Sequence, residues 1–410
     1  MTRVSSSARI ATAREAVAIA RELATEFSAG AAQRDAQRRL PFEEIEQLSS
    51  TGLLAVTVPH RFGGADLPPS VVAELTAIIA AADPSIAQIP HSHFVYLNLL
   101  RLGASDDLQK RIFGTVLDGG RVANAQSERG GRTIADISTR LTPTGGGFSL
   151  DGDKFYATGS LFADTLAVLA RLEVETDDHA PGEYVAFIPA DADGVERVDD
   201  WNGMGQRTTG SGTVRLRGVH VGADDLVARA PAVSGATGYG AFAQLLHVAI
   251  DTGIARGALD AAAEFVRSTS RPWFEAGVER AVDDPLLVQR FGELGVDVAS
   301  AEATLAAAGR SVDRATGFGD PDDIEPDADP VAEASIAVAA AKVVADRVAN
   351  SVTSALFEVS GTRSAGADLN LNRFWRDART HTLHDPVRWK YQHIGRYVLR
   401  DEKPPLHGVI

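Results

Sequence analysis

Near its middle the chain has the stretch Phe148-Ser149-Leu150-Asp151-Gly152-Asp153-Lys154-Phe155-Tyr156-Ala157-Thr158, which is strand-like in a sequence that is otherwise largely helical in pattern. Asp151-Gly152 lies between two runs with apolar and aromatic residues and is a strong two-residue turn signal, so it predicts a β-hairpin. Further out, Tyr184–Ile188 and Thr213–Arg217 have the composition of short strands. Short strands separated by glycine and aspartate predict a small β-barrel or sandwich.

Both flanks of this β region have helical periodicity. Before it, apolar residues recur at three- and four-residue spacing over Ile10–Phe27. After it, Phe242–Val266 is nearly free of helix breakers, and Val331–Val359 has valines at four-residue spacing. The order predicts an α+β protein with three parts: an N-terminal helical domain over 1–119, a central β domain over 120–230 and a C-terminal helical bundle over 231–410.

Composition excludes several classes of function. The formal net charge is −15, which argues against a protein that binds nucleic-acid backbones. The absence of cysteine removes disulfides, thiolate catalysis and iron–sulfur clusters. No stretch approaches the roughly 20 apolar residues that a membrane span needs. We therefore expect a cytoplasmic protein without nucleic-acid or membrane partners, and we expect the acidic segment Asp320–Pro330 to be an exposed loop.

Four motifs carry a resemblance to a known family. In chain order they are Val58-Pro59-His60-Arg61-Phe62-Gly63-Gly64, Asn124-Ala125-Gln126-Ser127-Glu128, Asp151-Gly152-Asp153-Lys154-Phe155-Tyr156-Ala157-Thr158-Gly159 and Arg376-Asp377-Ala378-Arg379. Their order and spacing resemble the acyl-CoA dehydrogenase superfamily, which implies the same helix–sheet–helix fold. The longer run Phe374–Pro386 is similar to the flavin-dependent monooxygenase branch of that superfamily, which includes dibenzothiophene monooxygenase and sulfur-acquisition oxidoreductases.

The resemblance implies which residues carry the chemistry. Asp385 falls at or beside the glutamate that removes a proton in the dehydrogenases, but it is one methylene shorter and precedes Pro386, which argues against that role. Imidazole can donate or accept a proton near neutral pH and suits oxygen chemistry on a reduced flavin. By resemblance, His384 would bond the oxygens of a C4a-hydroperoxyflavin, His381 would support the substrate or a proton relay, and Tyr96 and Asn124 would be donors in the pocket.

Five further positions are implied to bind the flavin. The resemblance places the hydroxyl of Thr158 against flavin N5, Ser127 and Trp201 against the ring, and Arg271 and Arg363 at the phosphate. Phosphate groups need cationic or N–H partners, as arginine provides.

The cofactor and its supply follow from two departures from familiar patterns. FAD-binding dehydrogenases have a glycine-rich stretch where this chain has the bulky, charged run Phe357–Arg363, which favours FMN over FAD. Gly203-Met204-Gly205 is a lone match within the β region and not a nicotinamide fingerprint. We therefore expect a separate NAD(P)H:flavin reductase to supply reduced FMN for the oxygenation, with O2, of a small organic substrate. The resemblance implies that this substrate is an organosulfur compound.

Three alternatives stay open on the sequence. The first is an FAD-dependent acyl-CoA dehydrogenase with Asp385 as its base, and the second is a non-enzymatic member that keeps only the scaffold. The third is a metal site, because the chain has four imidazoles at short spacings; without a supporting carboxylate pattern we predict no metal. Those imidazoles are His91, His93, His381 and His384. The long apolar helices predict a homotetramer, the usual assembly of the superfamily.

Overall fold

The structure is a computed structural model that describes residues 8–133, 135–318 and 329–410. Residues 320–328 of the predicted acidic loop Asp320–Pro330 therefore lie outside the described residues, and Pro330 is the first residue of a helix. The N-terminal helices are α1 (Ala13–Gln37), α2 (Phe42–Ser50), α3 (Pro69–Ala82), α4 (Pro84–Gln88), α5 (His91–Gly103) and α6 (Asp106–Leu117). The strands are β1 (Val122–Ala125), β2 (Arg140–Thr144), β3 (Gly147–Ala157), β4 (Thr165–Leu172), β5 (Gly182–Pro189), β6 (Val195–Val198), β7 (Gly212–Val221) and β8 (Leu226–Ala228). The C-terminal helices are α7 (Arg229–Val233), α8 (Tyr239–Ser268), α9 (Pro285–Ala315), α10 (Pro330–Ser360), α11 (Arg373–His381) and α12 (Arg388–Arg400).

The strands form one mixed sheet in the order β6-β7-β3-β2-β4-β5-β8, with β1 alongside β4 in parallel. The hairpin predicted at Asp151-Gly152 is wrong, because β3 runs through it as one strand and the turn lies at Gly145-Gly146, between β2 and β3. At Gly152 the pairing with β7 shifts register instead, and a Cβ there would lie 2.3 Å from Thr139 Oγ1. Gly152 is needed for a β-bulge and for a close contact with a neighbouring segment. Because bulges and tight turns both favour glycine, the sequence alone did not distinguish them.

The sheet has two buried faces at its centre. Along β4, Leu166 and Val168 pack into the core of the β domain, whereas Ala167 and Leu169 belong to the core of the helices. A strand covered on both faces has a continuous apolar sequence, as β4 does, because side chains alternate between the faces. The site described below lies where this sheet meets the helices.

The C-terminal bundle is formed by the long helices α8, α9 and α10, with α3 packed against α8. Both predicted long helices are confirmed, and α10 ends at Gly361, which has φ 72°. Gly253 and Gly257 allow the approach of α3, since a Cβ at these positions would lie 2.5 Å from Ala77 O and 2.2 Å from Ala81 O. Among the helices of the described residues, none has the length and apolar character needed to cross a membrane.

Helix α11 docks onto the sheet through a close backbone contact. A Cβ at Gly205 would lie 1.9 Å from Arg376 O, so this glycine is needed for packing and not for a nucleotide. The Gln206 N–H donates to Asp377 Oδ1 at 2.5 Å, and the guanidinium of Arg376 pairs with Asp35 of α1. The motif Arg376-Asp377-Ala378-Arg379 therefore joins all three parts of the fold.

A pH dependence of stability follows from this contact. Burial, to which the like charge of Asp35 adds, raises the pKa of Asp377 from 3.8 to about 7. Because the folded protein then binds an extra proton between these values, this group's contribution to stability falls as the pH rises through that window. Asp377→Asn should flatten the pH dependence of the melting temperature in this window. The variant should become more stable relative to the wild type as the pH rises. Thermal unfolding across the window measures this, and parallel curves for the two proteins would contradict it.

Candidate active site

A chain of buried polar groups crosses the bundle beside the sheet. Lys342 Nζ of α10 donates to Asp251 Oδ2 of α8 at 2.7 Å, and Asp251 Oδ1 lies 2.6 Å from His381 Nδ1 at the end of α11. His381 Nε2 lies 3.0 Å from His247 Nδ1, again on α8. The side chains of Lys342 and Asp251 are 0% exposed, so each charge depends on the other for compensation.

At its His247 end, this series of polar groups is part of a stack of three imidazole rings. The ring of His247 lies between those of His91 and His384, with centroids 4.0 Å apart on each side. His91, at the start of α5, bonds through Nε2 to the carbonyl of Ala243 at 3.0 Å. His384 is the open end of the stack, since 45% of its side chain is exposed. The structure thus brings the two predicted histidines, His381 and His384, to one place but gives them different surroundings.

Asp385 is held by charged neighbours. Its Oδ1 lies 3.3 Å from His384 Nδ1, and its Oδ2 lies 3.2 Å from the ammonium of Lys390. Lys390 Nζ also donates to the carbonyl of Val409 at 2.5 Å. Burial opposes ionisation of Asp385, yet His384, Lys342 and Lys390 together hold its pKa well below the ordinary value. A carboxylate with so low a pKa is a weak base.

Burial keeps the inner imidazoles neutral. It lowers the pKa of His91 to about 3 and that of His247 well below the ordinary value, and the neighbouring histidines add to the effect. The pKa of His381 is also lowered, because burial outweighs the attraction of Asp251. Although burial alone would raise the pKa of Asp251, His381 and Lys342 hold it low. The hydrogen-bonded series from Lys342 through Asp251 and His381 to His247 therefore contains one cation, one anion and two neutral rings.

Helix α5 and strand β1 form the adjoining wall. Tyr96 Oη donates to Gln126 Oε1 at 2.6 Å, and burial raises the pKa of Tyr96. The backbone N–H of Asn124 donates to Ser92 Oγ at 3.3 Å. The side-chain Oδ1 of Asn124 is buried and has no hydrogen-bond partner in the described part of the chain. An unpaired buried acceptor is costly, so this atom is a candidate ligand contact.

The end of β3 adds a row of hydroxyl groups. Thr158 Oγ1 lies 2.7 Å from Ser211 Oγ, which lies 2.7 Å from Thr209 Oγ1. Ser211 also lines a pocket of about 270 Å3 together with Trp201, whose indole N–H donates to Gln206 O. The next residue after Thr158 is Gly159, where a Cβ would lie 2.9 Å from Ile89 O, just before α5. Ser211 therefore connects Thr158 to this pocket, and Gly159 brings the end of β3 close to the start of α5.

Three predicted flavin contacts lie at the surface. Ser127 is exposed, and its carbonyl accepts from the Phe155 N–H at 2.9 Å. Arg271 and Arg363 are exposed beyond the far ends of α8 and α10, where Arg363 Nη1 donates to Thr269 O at 2.8 Å. With a rise of 1.5 Å per residue, the end of α8 is about 30 Å from His247. Within one chain, the two arginines and the histidines do not meet.

The sequence motifs did not identify His247, Asp251 and Lys342. A signal was present, because His247 and Asp251 are four residues apart in the largely apolar first half of α8, and Lys342 interrupts an apolar run of α10. Conversely, His93 points away from the site: it accepts from the Val122 N–H at 3.0 Å and bonds to Leu54 O at 2.7 Å. Within the described ranges, no three His, Asp or Glu side chains form a group that could hold a metal ion.

Comparisons with known proteins agree with this architecture. The family model "Acyl-CoA dehydrogenase, N-terminal domain" matches residues 11–120, and "Acyl-CoA dehydrogenase, C-terminal domain" matches residues 245–389. The chain therefore belongs to the acyl-CoA dehydrogenase family, as its motifs predicted.

Several relatives that match almost the whole length are named as monooxygenases. Dibenzothiophene monooxygenase of Mycolicibacterium goodii is 33% identical over 399 residues, which are 95% of this chain and 94% of that protein. A probable FMNH2-dependent monooxygenase, SfnC of Pseudomonas putida, is 30% identical over 95% of this chain and 96% of that protein. The solved structure of FMN-bound TdsC from Paenibacillus sp. A11-2 has a TM-score of 0.88 and 32% identity, covering 96% of this chain and 100% of that one. The predicted fold and the predicted monooxygenase branch are confirmed.

Proposed function

We propose that this protein is the oxygenase of a two-component system, which uses reduced FMN and O2 to oxygenate a small organosulfur compound. The observation that carries the proposal is the environment of Asp385. Its carboxylate is held in its charged form by Lys390 and His384, whereas imidazoles occupy the space beside it. Proton-handling imidazoles in place of a carboxylate base favour oxygen chemistry over α-proton abstraction by an acyl-CoA dehydrogenase.

The residues present fit a flavin. The pocket beside Trp201 offers an aromatic wall, and Thr158 is hydrogen-bonded to Ser211 at the edge of that pocket. The unpaired Oδ1 of Asn124 offers a further hydrogen-bond acceptor. Bound reduced FMN would supply the electrons and the ring on which O2 is activated. The chain's own part is to orient the substrate, to exclude water and to donate or accept protons through His384 and its neighbours.

The run Phe357–Arg363 supports FMN over FAD as the cofactor. Glu358, at this position of the FAD-binding pattern, pairs with Arg290 of α9 at 3.0 Å. The ion-paired side chain of Glu358 stands where the FAD-binding pattern has glycines that contact the ADP half of FAD. Because the nicotinamide fingerprint is also missing from the sequence, a separate NAD(P)H:flavin reductase would supply FMNH2, and we place both proteins in the cytoplasm.

The active site is proposed to be shared between subunits of a homotetramer. Arg271 and Arg363 cannot reach the histidines of their own chain, so a phosphate contact from these residues requires a second copy. An exposed face of α9 suits such an assembly, because its residues are small or apolar and follow helical spacing. They are Gly292, Val296, Ala299, Ala303 and Ala306. Small residues on one face permit close packing of helices from neighbouring subunits.

Product analysis tests the proposed function. Purified protein is supplied with FMN, NADH, a flavin reductase and isotopically labelled O2, with dibenzothiophene as the probe substrate. We expect a sulfoxide or sulfone that carries the label. Consumption of reduced FMN without an oxygenated product from a panel of sulfur compounds would contradict the proposal. Bleaching of bound flavin by acyl-CoA without oxygen would establish the dehydrogenase instead, and no affinity for FMN or FAD would establish a scaffold protein.

Thr158 provides a test of the flavin-facing wall. Thr158→Val keeps the shape of the side chain but loses the hydroxyl group that contacts Ser211 and is proposed to face the flavin. We expect the yield of oxygenated product per FMNH2 consumed to fall roughly tenfold, as for the loss of one hydrogen bond, with hydrogen peroxide released instead. Thr158→Ser is the matched control, since it keeps the hydroxyl group. Equal yields from the valine and serine variants would remove Thr158 from the site.

A further inference from the structure

His381 has no ring nitrogen left for a substrate. His381 and His247 are both buried, each 2% exposed, and His381 has Nδ1 engaged by Asp251 and Nε2 engaged by His247. His247 differs, because in the described part of the chain only its Nδ1 has a hydrogen-bond partner. Of this directly bonded pair, His247 is therefore the ring with a nitrogen left for proton exchange.

The hydrogen-bond chain determines the tautomers. The carboxylate of Asp251 only accepts, so the proton of neutral His381 lies on Nδ1 and its Nε2 is an acceptor. The partner of that acceptor is His247 Nδ1, which must then carry the proton of its own ring. This arrangement leaves the lone pair of His247 on Nε2. A tautomer set by a carboxylate through a histidine follows the logic of catalytic triads.

We propose that Asp251 and Lys342 are positioning residues of this active site, which act through His381 to make His247 Nε2 its internal base. The proposal rests on the monooxygenase function proposed above. When His247 Nε2 takes a proton from the reacting molecule, its Nδ1 proton passes to His381 Nε2. His381 then becomes an imidazolium ion beside Asp251, and the reverse transfer returns the proton.

Lys342 sets the charge balance of this relay. It neutralises Asp251, so that the carboxylate does not draw a permanent proton onto His381. The other titratable groups that face the relay are His91 from α5, Asp346 from α10, and His384 and Asp385 after α11. None of these replaces Lys342, because its ammonium contacts Asp251 directly.

Two substitutions test the proposal because their effects on His381 have opposite signs. Lys342→Met removes the cation, so protonation of His381 becomes easier and its pKa should rise by about one unit or more. Product formation should then be lost near neutral pH and return as the pH is raised. Asp251→Asn removes the anion and leaves one acceptor oxygen for two donors, so His381 should stay neutral to lower pH. The rate should fall about 100-fold or more at every pH.

The readout that does not depend on activity is nuclear magnetic resonance of the flavin-free protein with labelled histidine. The chain has 10 histidines, and His381→Gln and His247→Gln assign the two signals. We expect wild-type His381 to be protonated at Nδ1 and the two variants to shift its titration in opposite directions. Arg34→Met, which removes another buried ion pair, is the matched control and should lower stability without moving this titration.

Two results would overturn the proposal. One is an unchanged His381 titration in both variants, with the same loss of stability as in Arg34→Met. The other is an unchanged pH profile of product formation in Lys342→Met. If the wild type oxygenates no substrate, the proposed function fails, but the histidine titration still decides whether Asp251 and Lys342 position His247.

Discussion

His384→Ala should abolish product formation while the protein still binds FMN. His384 is the open end of the histidine stack, and its ring is held by contact with His247 and by the carboxylate of Asp385. General acid–base groups contribute about 100-fold or more to rates, so the loss should be at least that large. Its imidazole does not line the pocket beside Trp201, where we propose that FMN binds, so the affinity for FMN should change little. Product formation and FMN fluorescence titration measure the two effects.

The control is the removal of another imidazole. His220→Ala changes an exposed histidine on β7, on the solvent side of the sheet, and should leave both measurements as in the wild type. Product formation by His384→Ala within about twofold of the wild type would remove His384 from the mechanism. A parallel loss of FMN affinity would assign it to cofactor binding.

Val296→Glu should separate the subunits and reduce FMN binding together. Val296 is 70% exposed at the middle of the apolar face of α9, and a buried carboxylate at a helix contact is unfavourable. If Arg271 and Arg363 reach the site of a neighbouring chain, loss of the assembly removes the phosphate contacts. We expect the affinity for FMN to fall at least about tenfold, which corresponds to about 1.4 kcal/mol.

Light scattering and FMN titration measure these effects. Val174→Glu makes the same change at an exposed valine of the β domain and should alter neither the mass nor the affinity. An intact tetramer in Val296→Glu would show that α9 is not the contact. A monomer with wild-type affinity for FMN would show that one chain holds the whole cofactor site.

The sequence predicted some parts of the site better than others. The run Phe374–Pro386 located His381 and His384, because α11 and the turn after it form a local motif. The same reasoning could not separate a buried His381 from an exposed His384, since exposure depends on which helices pack over each ring. It grouped His93 with His91, although His93 is satisfied by backbone groups of other elements. The β-hairpin predicted at Asp151-Gly152 was wrong for a related reason, because a β-bulge and a tight turn both favour glycine.

The sequence by itself determined the order of helices and strands, the long helices α8 and α10 and the family, because hydrophobic periodicity and short motifs are local properties of the chain. The tertiary structure alone decided how Lys342, Asp251, His381 and His247 connect. These residues come from three helices, and their hydrogen bonds join positions 91, 130 and 134 residues apart. Such contacts depend on how helices cross and on which polar groups burial forces to pair, so no local pattern contains them. The resemblance identified His381, and only the fold joins it to Asp251 and His247.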